Sequence, residues 1–276
     1  MIELLDEMKI EPTSTDIKND IYHKWDLMDK PQNSLGNIEK MVAKYGSMLG
    51  NELPDELKPA MLLMCGDHGI AKYGVSAYPP EVTIQMINGY MRGTAGANVM
   101  ARHANTDLFV VDVGVNADLT NLKGVRNEKI AWGTEDFTKG PAMTKNQAIK
   151  ALQVGIKVAD ECIDKGYNLL VTAEMGIGNT TSTAAIASAM LNLEPELTVG
   201  RGTGINDERM QIKRRVVAEG LAVNSPIADD ALDVLCKLGG YDHAGLAGMI
   251  IGGARRRVPT MIDGVNATAA ALIAWK

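Results

Sequence analysis

One glutamate stands where a buried strand meets a glycine-rich turn. Residues 168–183 read NLLVTAEMGIGNTTST, an apolar run that leads to Glu174 and is followed by Gly176 and Gly178. An apolar run that opens through glycines into small residues is typical of a buried parallel strand leading into a helix. Such a turn leaves backbone N–H groups free to face an anion, and the helix dipole favours negative charge there. Because Glu174 would repel that anion, we predict a chemical role for its carboxylate.

A second glycine-rich loop reads VGRGTG at 199–204 and precedes a helix whose N-cap is Asn206 or Asp207. Lys213 lies early enough in this helix to reach an anion beside the loop, although a single lysine is more often a solvated charge. One GxG pair is weak evidence for an anion site, because a tight connection between two elements uses the same residues. Two such loops, each opening a helix, predict an anion site between them.

Acidic residues also mark the ends of three further predicted strands, at 59–65, 107–115 and 258–264. These residues are Asp67, Asp112 and Asp263. Parallel strands would gather the acids along one edge of the sheet, where ligands of open α/β sheets bind. Carboxylates there can orient ribose hydroxyls or accept a proton, so the ligand predicted from residues alone is a phosphorylated sugar. Asp67 could equally cap its turn, and we expect His68 to be simply exposed.

Composition narrows the class of protein. The net charge of -6 and pI of 5.3 argue against a nucleic-acid partner. Three widely spaced cysteines (Cys65, Cys162 and Cys236) and an acidic N-terminus predict a soluble cytoplasmic protein without disulfides, signal peptide or membrane partner. Neither G-x-G-x-x-G nor G-x-x-x-x-G-K-[ST] occurs, which argues against NAD and ATP. No cofactor or metal site is expected.

The helices and loops around these residues are predicted from the spacing of apolar residues and from the prolines and glycines that interrupt it. Residues 1–58 have the pattern of short helices, with breaks near 31–34 and 51–54, and we expect a helical lid or packing arm. Thr144 is predicted to cap a helix that runs to about 165, after an irregular surface excursion at 116–138. The glycines of 245–253 predict that a neighbouring backbone approaches their helix closely. The arginines at 255–257 are expected to be a solvated helix end.

Several segments match one known family in the same order along the chain. They are 66–69, 75–79, 81–83, 111–114, 174–181, 199–204, 257–259 and 263–264. Together they resemble the nicotinate-nucleotide–dimethylbenzimidazole phosphoribosyltransferases, which act in cobamide lower-ligand assembly. The resemblance covers roughly residues 60–270, and the EMGIGNTT and VGRGTG segments are its most specific part.

The resemblance implies a Rossmann-like parallel sheet flanked by helices (59–276 here), with a small helical domain built from the chain ends (1–58 here). It implies a homodimer that transfers phosphoribose from nicotinate mononucleotide to a benzimidazole-type base, releasing nicotinate and α-ribazole phosphate in cobalamin biosynthesis. The matching motifs would hold phosphate and ribose through Gly176, Gly178, Asn179, Thr180, Gly202, Thr203, Gly204, Lys213 and Asp263. They place Tyr78, Gln85 and Met86 near the aromatic base.

The chain departs from the family at one point. The glutamate usually assigned as general base lies well beyond the Asp-Gly strand, and this sequence ends at Lys276 before any such segment. We expect either a truncated form or a paralogue whose missing part comes from a partner, in a homodimer or a heterodimer. Glu174 is then hypothesised to assist catalysis without fully replacing the absent residue. Adenine or a phenol as acceptor, and a non-catalytic subunit or α-ribazole-binding protein, stay open as alternatives.

Overall fold

The computed structural model of the chain describes residues 9–50, 53 and 56–276. Its centre is a parallel five-stranded sheet in the order β3-β2-β1-β4-β5. The strands are β1 (Pro59–Gly66), β2 (Asp107–Gly114), β3 (Val125–Asn127), β4 (Leu169–Met175) and β5 (Thr260–Met261). The predicted α/β class is therefore confirmed. The predicted break at 51–54 and the first eight residues lie largely outside the described residues.

Helices cover both faces of the sheet. They are α1 (Thr15–Asp26), α2 (Asn37–Leu49), α3 (Val82–Arg92), α4 (Gly96–His103), α5 (Lys145–Asp164), α6 (Asn179–Leu191), α7 (Pro195–Thr198), α8 (Asp207–Asn224), α9 (Ala231–Leu238), α10 (Tyr241–Arg255) and α11 (Val265–Trp275). Alternate residues of β1 belong to two separate apolar clusters, Leu62 and Met64 to one and Leu63 and Cys65 to the other. This explains why the strand reads as one continuous apolar run. In the described part of the chain, no helix has the length and apolarity to cross a membrane.

The stretch 116–138 is more ordered than the sequence predicts. It contains β3, which pairs with β2, and its Phe137 is fully buried in the larger apolar cluster. The prediction of an irregular surface excursion holds for 116–124, most of which is exposed and outside helices and strands. It is wrong for β3 and Phe137, because a strand of three residues carries too little pattern to be seen. The helix after it begins as predicted, with a capping box between Thr144 and Gln147.

Helices α5 and α10 pack closely against each other in the core. A Cβ at Gly248 would overlap the Leu152 carbonyl oxygen, and one at Gly155 would overlap that of Gly245. These two helices can pack only because both lack side chains at the contact. The predicted close approach of a backbone to this glycine-threaded helix is confirmed.

Helices α1 and α2 pack at the amino edge of the sheet. The Tyr45 hydroxyl donates to the carbonyl of Asn168, which immediately precedes β4 (2.9 Å), and Arg257 Nε donates to the Leu49 carbonyl (3.1 Å). Arg255 pairs with Asp160 on α5. The prediction of a merely solvated arginine cluster at the end of α10 is therefore wrong, because these guanidiniums bind carbonyl and carboxylate groups of neighbouring elements.

Candidate active site

The parallel register places the acidic strand ends along one edge, as the sequence predicts. Met64 of β1 aligns with Glu174 of β4, and Cys65 aligns with Asp112 of β2. Asp263 follows β5, and its Oδ1 accepts a hydrogen bond from Thr172 Oγ1 at 3.1 Å. Glu174 and Asp263 thus stand on adjacent strand ends.

Two of the four acids hold loops in place. Asp67 accepts from Thr83 Oγ1 (2.6 Å) and from the backbone N–H of Asn116 (2.8 Å). Asp112 is fully buried, accepts from two backbone N–H groups of its own turn, and pairs with Lys129 Nζ at 2.9 Å. Their oxygens are engaged by the protein itself, so the capping role that the sequence left open for Asp67 fits the structure.

The Glu174 carboxylate is held by amides at the start of two helices. Asn266 Nδ2, from the first turn of α11, donates to Oε1 at 2.7 Å. Asn179 Nδ2, from the first residue of α6, donates to Oε2. Burial raises the pKa of Glu174, and the hydrogen bond from Asn266 opposes that rise. A carboxylate with a raised pKa is a stronger base than a solvated one, which suits Glu174 to accept a proton.

The turn after Glu174 requires its glycines. Gly178 has a φ of +102° and caps α6 from the left-handed region. A Cβ at Gly176 would overlap the carbonyl oxygen of Gly66, at the end of β1. The Ile177 N–H donates to Thr83 Oγ1 at 3.2 Å, which ties the turn to α3. The loops after β1 and β4 therefore pack directly against each other.

Lys213 is the cation of the site. Its side chain comes from α8 and is only 1% exposed, and Nζ donates to Thr180 Oγ1 (2.6 Å) and the Gly200 carbonyl (3.3 Å). Burial lowers the pKa of Lys213 to about 8. Within residues 9–50, 53 and 56–276 it forms no ion pair with a carboxylate. The alternative of a solvated charge is wrong, and a buried, unneutralised ammonium beside a helix N-terminus is suited to an anion.

The second glycine loop meets the first at this lysine. Gly202 has a φ of +51°, and a Cβ there would lie 2.9 Å from Thr180 Oγ1 and 3.2 Å from Lys213 Nζ. Gly204 has a φ of +87° and open space where its Cβ would stand. Asn206, as predicted, caps α8 through a bond from the Arg209 N–H (3.0 Å). The structure therefore brings the two loops together as the sequence predicts.

Thr203 connects this loop to the segment predicted to bind an aromatic base. Its Oγ1 accepts from the Ala77 N–H at 2.8 Å and lies 3.1 Å from Ser76 Oγ. The neighbouring Tyr78 is 55% exposed. Gln85 is exposed on α3, and Met86 packs against the smaller apolar cluster. A cavity of about 460 Å³ is lined by the sequence neighbours Pro80, Glu81 and Ile84, by Asn116 and Trp132 and by others, but not by Tyr78, Gln85 or Met86 themselves.

Sequence reasoning missed a buried polar cluster beneath the site. His68, expected to be exposed, is buried, with Nδ1 3.0 Å from Ser182 Oγ and Nε2 3.1 Å from Asp242 Oδ2. Burial lowers the pKa of His68, but Asp242 outweighs it and the net shift is upward. His243 lies beside both residues. Three metal-ligand side chains approach one another here, yet hydrogen bonds already engage most of their ring nitrogens. The available signal was the polar run YDH at 241–243, at the start of an apolar helix.

Comparison with known proteins identifies relatives over almost the whole chain. A phosphoribosyltransferase family model matches residues 10–276. The nicotinate-nucleotide–dimethylbenzimidazole phosphoribosyltransferase of Chloroflexus aggregans is 46% identical over 249 residues, 90% of this chain and 70% of that protein. The protein of the same description from Geobacter sulfurreducens is 44% identical, over 96% of this chain and 76% of its own length. The crystal structure of CobT from Thermus thermophilus superimposes with a TM-score of 0.89 at 37% identity, covering 94% of this chain and 78% of that one.

Proposed function

Because the chain belongs to the nicotinate-nucleotide–dimethylbenzimidazole phosphoribosyltransferase family, we propose that it transfers phosphoribose from nicotinate mononucleotide to dimethylbenzimidazole or a related base. The products are α-ribazole phosphate and nicotinate, in cobalamin biosynthesis. The observation that carries the proposal is the start of α6, where Asn179 binds the Glu174 carboxylate and the next residue, Thr180, binds the ammonium of Lys213. One helix N-terminus thereby joins a proton acceptor to an anion site.

The phosphate end of the substrate is assigned to Lys213 and the two glycine loops. The buried ammonium lacks a carboxylate partner in the described chain, and a phosphate would replace the hydration it has lost. The N-terminus of α6 adds a favourable dipole. We assign the remaining contacts with phosphate and ribose to Gly176, Gly178, Asn179, Thr180, Gly202, Thr203, Gly204 and Asp263.

The chemistry is assigned to Glu174. A ring nitrogen of the acceptor base attacks C1′ of the ribose while the bond between C1′ and the nicotinate nitrogen breaks. Nicotinate leaves with that electron pair, which neutralises its pyridinium ring, and the N–H proton of the acceptor passes to Glu174. The carboxylates of Glu174 and Asp263 also stabilise the positive charge that develops on the sugar. The raised pKa of Glu174 supports its role as base.

The acceptor base is assigned to the side of the site formed by Tyr78, Gln85 and Met86. The phenol ring of Tyr78 is exposed and available for stacking, and its segment is fixed to the phosphate loop through Thr203. The adjacent cavity has ample room for a fused bicyclic base and carries both apolar and polar groups. This arrangement favours a flat aromatic acceptor over an aliphatic one.

We also propose that the enzyme works in the cytoplasm as a homodimer or with a paralogous subunit. Its three cysteines are free and buried, as expected in a reducing compartment. Exposed apolar side chains just after α1 (Leu27 and Met28) and on α2 (Ile38 and Met41) suit a subunit contact.

The experiment incubates the full chain with nicotinate mononucleotide and dimethylbenzimidazole and separates the products by chromatography. We expect nicotinate and α-ribazole phosphate in equal amounts. Glu174→Gln is expected to abolish turnover, because the amide cannot accept the acceptor's proton. Glu219→Gln, an exposed carboxylate of α8, is the matched control and should leave turnover unchanged.

Three outcomes would contradict all or part of the proposal. Equal nicotinate release by Glu174→Gln and the unchanged chain would reject Glu174 as the base. Turnover that appears only after a second, active relative is added would instead favour a non-catalytic paralogous subunit. If neither product forms under either condition but the chain binds added α-ribazole, its function would be that of an α-ribazole-binding protein.

A further inference from the structure

A row of buried polar side chains lies directly beneath Glu174. Thr183 of α6, Asn266 of α11 and Asp242 and His243 of α10 are all buried among alanines and other apolar groups. Burying such groups lowers stability unless they satisfy one another with hydrogen bonds. Apolar residues would have formed this helix junction more simply, so the row needs a reason other than packing.

The geometry fixes which atom donates at each link. Asn266 Nδ2 donates to Glu174 Oε1 (2.7 Å), and Asn266 Oδ1 accepts from Thr183 Oγ1 (2.7 Å). A hydroxyl has one proton, so the Thr183 oxygen can only accept from His243 Nε2, at 2.8 Å. The orientation of the Asn266 amide and the protonation of His243 at Nε2 follow from these contacts. Every donor in the row therefore points towards Glu174.

The far end of the row rests on a buried carboxylate. Asp242 Oδ1 accepts from the backbone N–H of His243 (2.8 Å) and lies 3.1 Å from His243 Nδ1. Asp242 Oδ2 lies 3.1 Å from Nε2 of His68, whose other ring nitrogen faces Ser182. Burial raises the pKa of Asp242, but His68 and His243 outweigh it and hold that pKa well below its usual range. The backbone of His243 is thereby held by Asp242, and its ring is held at Nε2 by Thr183.

We propose that His243, Thr183 and Asn266 form a hydrogen-bonded chain that positions the Glu174 carboxylate and keeps it ionised for proton transfer. The three are positioning residues, since none is expected to touch the substrate. Aligned donors polarise one another, so the last amide binds the carboxylate more strongly than an isolated amide would. The expected effect on kcat rests on the proposed function. The expected effect on the pKa of Glu174 rests on the structure alone.

Other ionisable groups face Glu174, and a test of the chain must leave all of them in place. They are Cys65 on β1, His68 after β1, Tyr90 on α3, Asp242 and His243 on α10, and Asp263 after β5. The chosen substitution therefore alters a neutral link. Thr183→Val keeps the shape of the side chain and removes its hydroxyl, which leaves the Asn266 amide free to rotate and His243 Nε2 without an acceptor.

The first readout needs no activity. The full chain is labelled with carbon-13 at the glutamate carboxyl carbons, and Glu174→Gln identifies the Glu174 signal in the titration. We expect the pKa of Glu174 to rise further in Thr183→Val, because its carboxylate loses an oriented donor. Thr183→Ser, which restores a hydroxyl, should return it to the original value.

The second readout is kinetic. With nicotinate mononucleotide and dimethylbenzimidazole, Thr183→Val should lower kcat about tenfold, as expected when the released Asn266 amide no longer donates to the charged Glu174 carboxylate, with little change in KM. The acidic limb of its pH profile should move to higher pH. Thr183→Ser should recover most of kcat.

Thr181→Val is the matched control. Thr181 is buried in the same helix, and its Oγ1 has no hydrogen-bond partner among the described residues. We expect this variant to keep the Glu174 titration and kcat. An unchanged Glu174 titration in a folded Thr183→Val protein would overturn the inference, and an equal shift in Thr181→Val would do the same. A shifted titration in a chain that never releases nicotinate would uphold the positioning chain and reject the proposed function instead.

Discussion

At the scale of single residues, Lys213 shows a conflict between folding and function. In the unfolded chain its pKa is 10.5, and burial lowers it to about 8 in the folded protein. Between these values the unfolded chain holds a proton that the folded chain has released, so stability rises with pH. Below pH 8 both states are protonated and the buried cation destabilises the fold, by about 3 kcal/mol at 1.36 kcal/mol per pKa unit. An anionic substrate would relieve this cost.

We therefore expect Lys213→Met to stabilise the free protein at pH 7, by up to about 3 kcal/mol. The advantage over the unchanged chain should disappear as pH rises from 8 to 10.5, as urea unfolding at several pH values would show. Nicotinate mononucleotide should stabilise the unchanged chain and have little effect on the variant. Arg215→Met, which removes an exposed cation from the same helix, should keep the ligand effect. If Lys213→Met were less stable than the unchanged chain at pH 7 and responded equally to nicotinate mononucleotide, this account would be contradicted.

Some site residues could be predicted from the chain and others could not, for a physical reason. Glu174 and the glycine turns were found because strand, turn and helix signals coincide within a few consecutive residues. The buried row of His243, Thr183 and Asn266 was missed because its members lie far apart in sequence, on three helices. A lone threonine or asparagine in an alanine-rich helix carries no local signal of what it will bind.

At the scale of elements, local pattern predicts an element only when the element is long enough. The strands β1, β2 and β4, which are seven or eight residues long, were all predicted. β5 has two residues where the sequence predicts seven, since only Thr260 and Met261 pair with β4. The described helices α1 and α2 match the helical tendency of the first region, whereas their placement at the amino edge depends on long-range bonds that periodicity does not encode.

The contact between α5 and α10 gives a prediction at this scale. Gly248→Ala should destabilise the protein by about 2–3 kcal/mol, because the added methyl group overlaps the Leu152 carbonyl oxygen and the helices must separate. Gly96→Ala, also in a helix but with open space at its Cβ, should be neutral or stabilising by about 0.5 kcal/mol. Thermal and urea unfolding of both variants would measure the difference. Similar destabilisation by the two substitutions would contradict the assigned packing.

At the scale of the whole molecule, the parallel sheet separates two tasks. Its carboxyl edge carries Glu174 and the glycine loops, and its amino edge carries the contacts of α1 and α2. The seven residues of β4 lie between them, a span of roughly 20 Å at about 3.3 Å per residue. The amino edge can therefore change without a direct effect on the proposed chemistry.

Arg257 provides the test of this separation. Its guanidinium donates to the Leu49 and Pro12 carbonyls (3.1 and 3.3 Å) and so fastens the N-terminal helices to the end of α10. Arg257→Met should increase amide hydrogen exchange across α1 and α2, because their local opening loses these bonds. kcat and KM for nicotinate mononucleotide should stay within about twofold, since an effect of the amino edge on the carboxyl edge needs a coupled element between the two.

Arg256→Met is the control. It removes the ion pairs with Asp160 and Asp164 on α5 instead, and it should leave exchange in α1 and α2 unchanged. A large fall in kcat for Arg257→Met would mean that the N-terminal helices act on the site, and the two edges would then have to be treated as one functional unit.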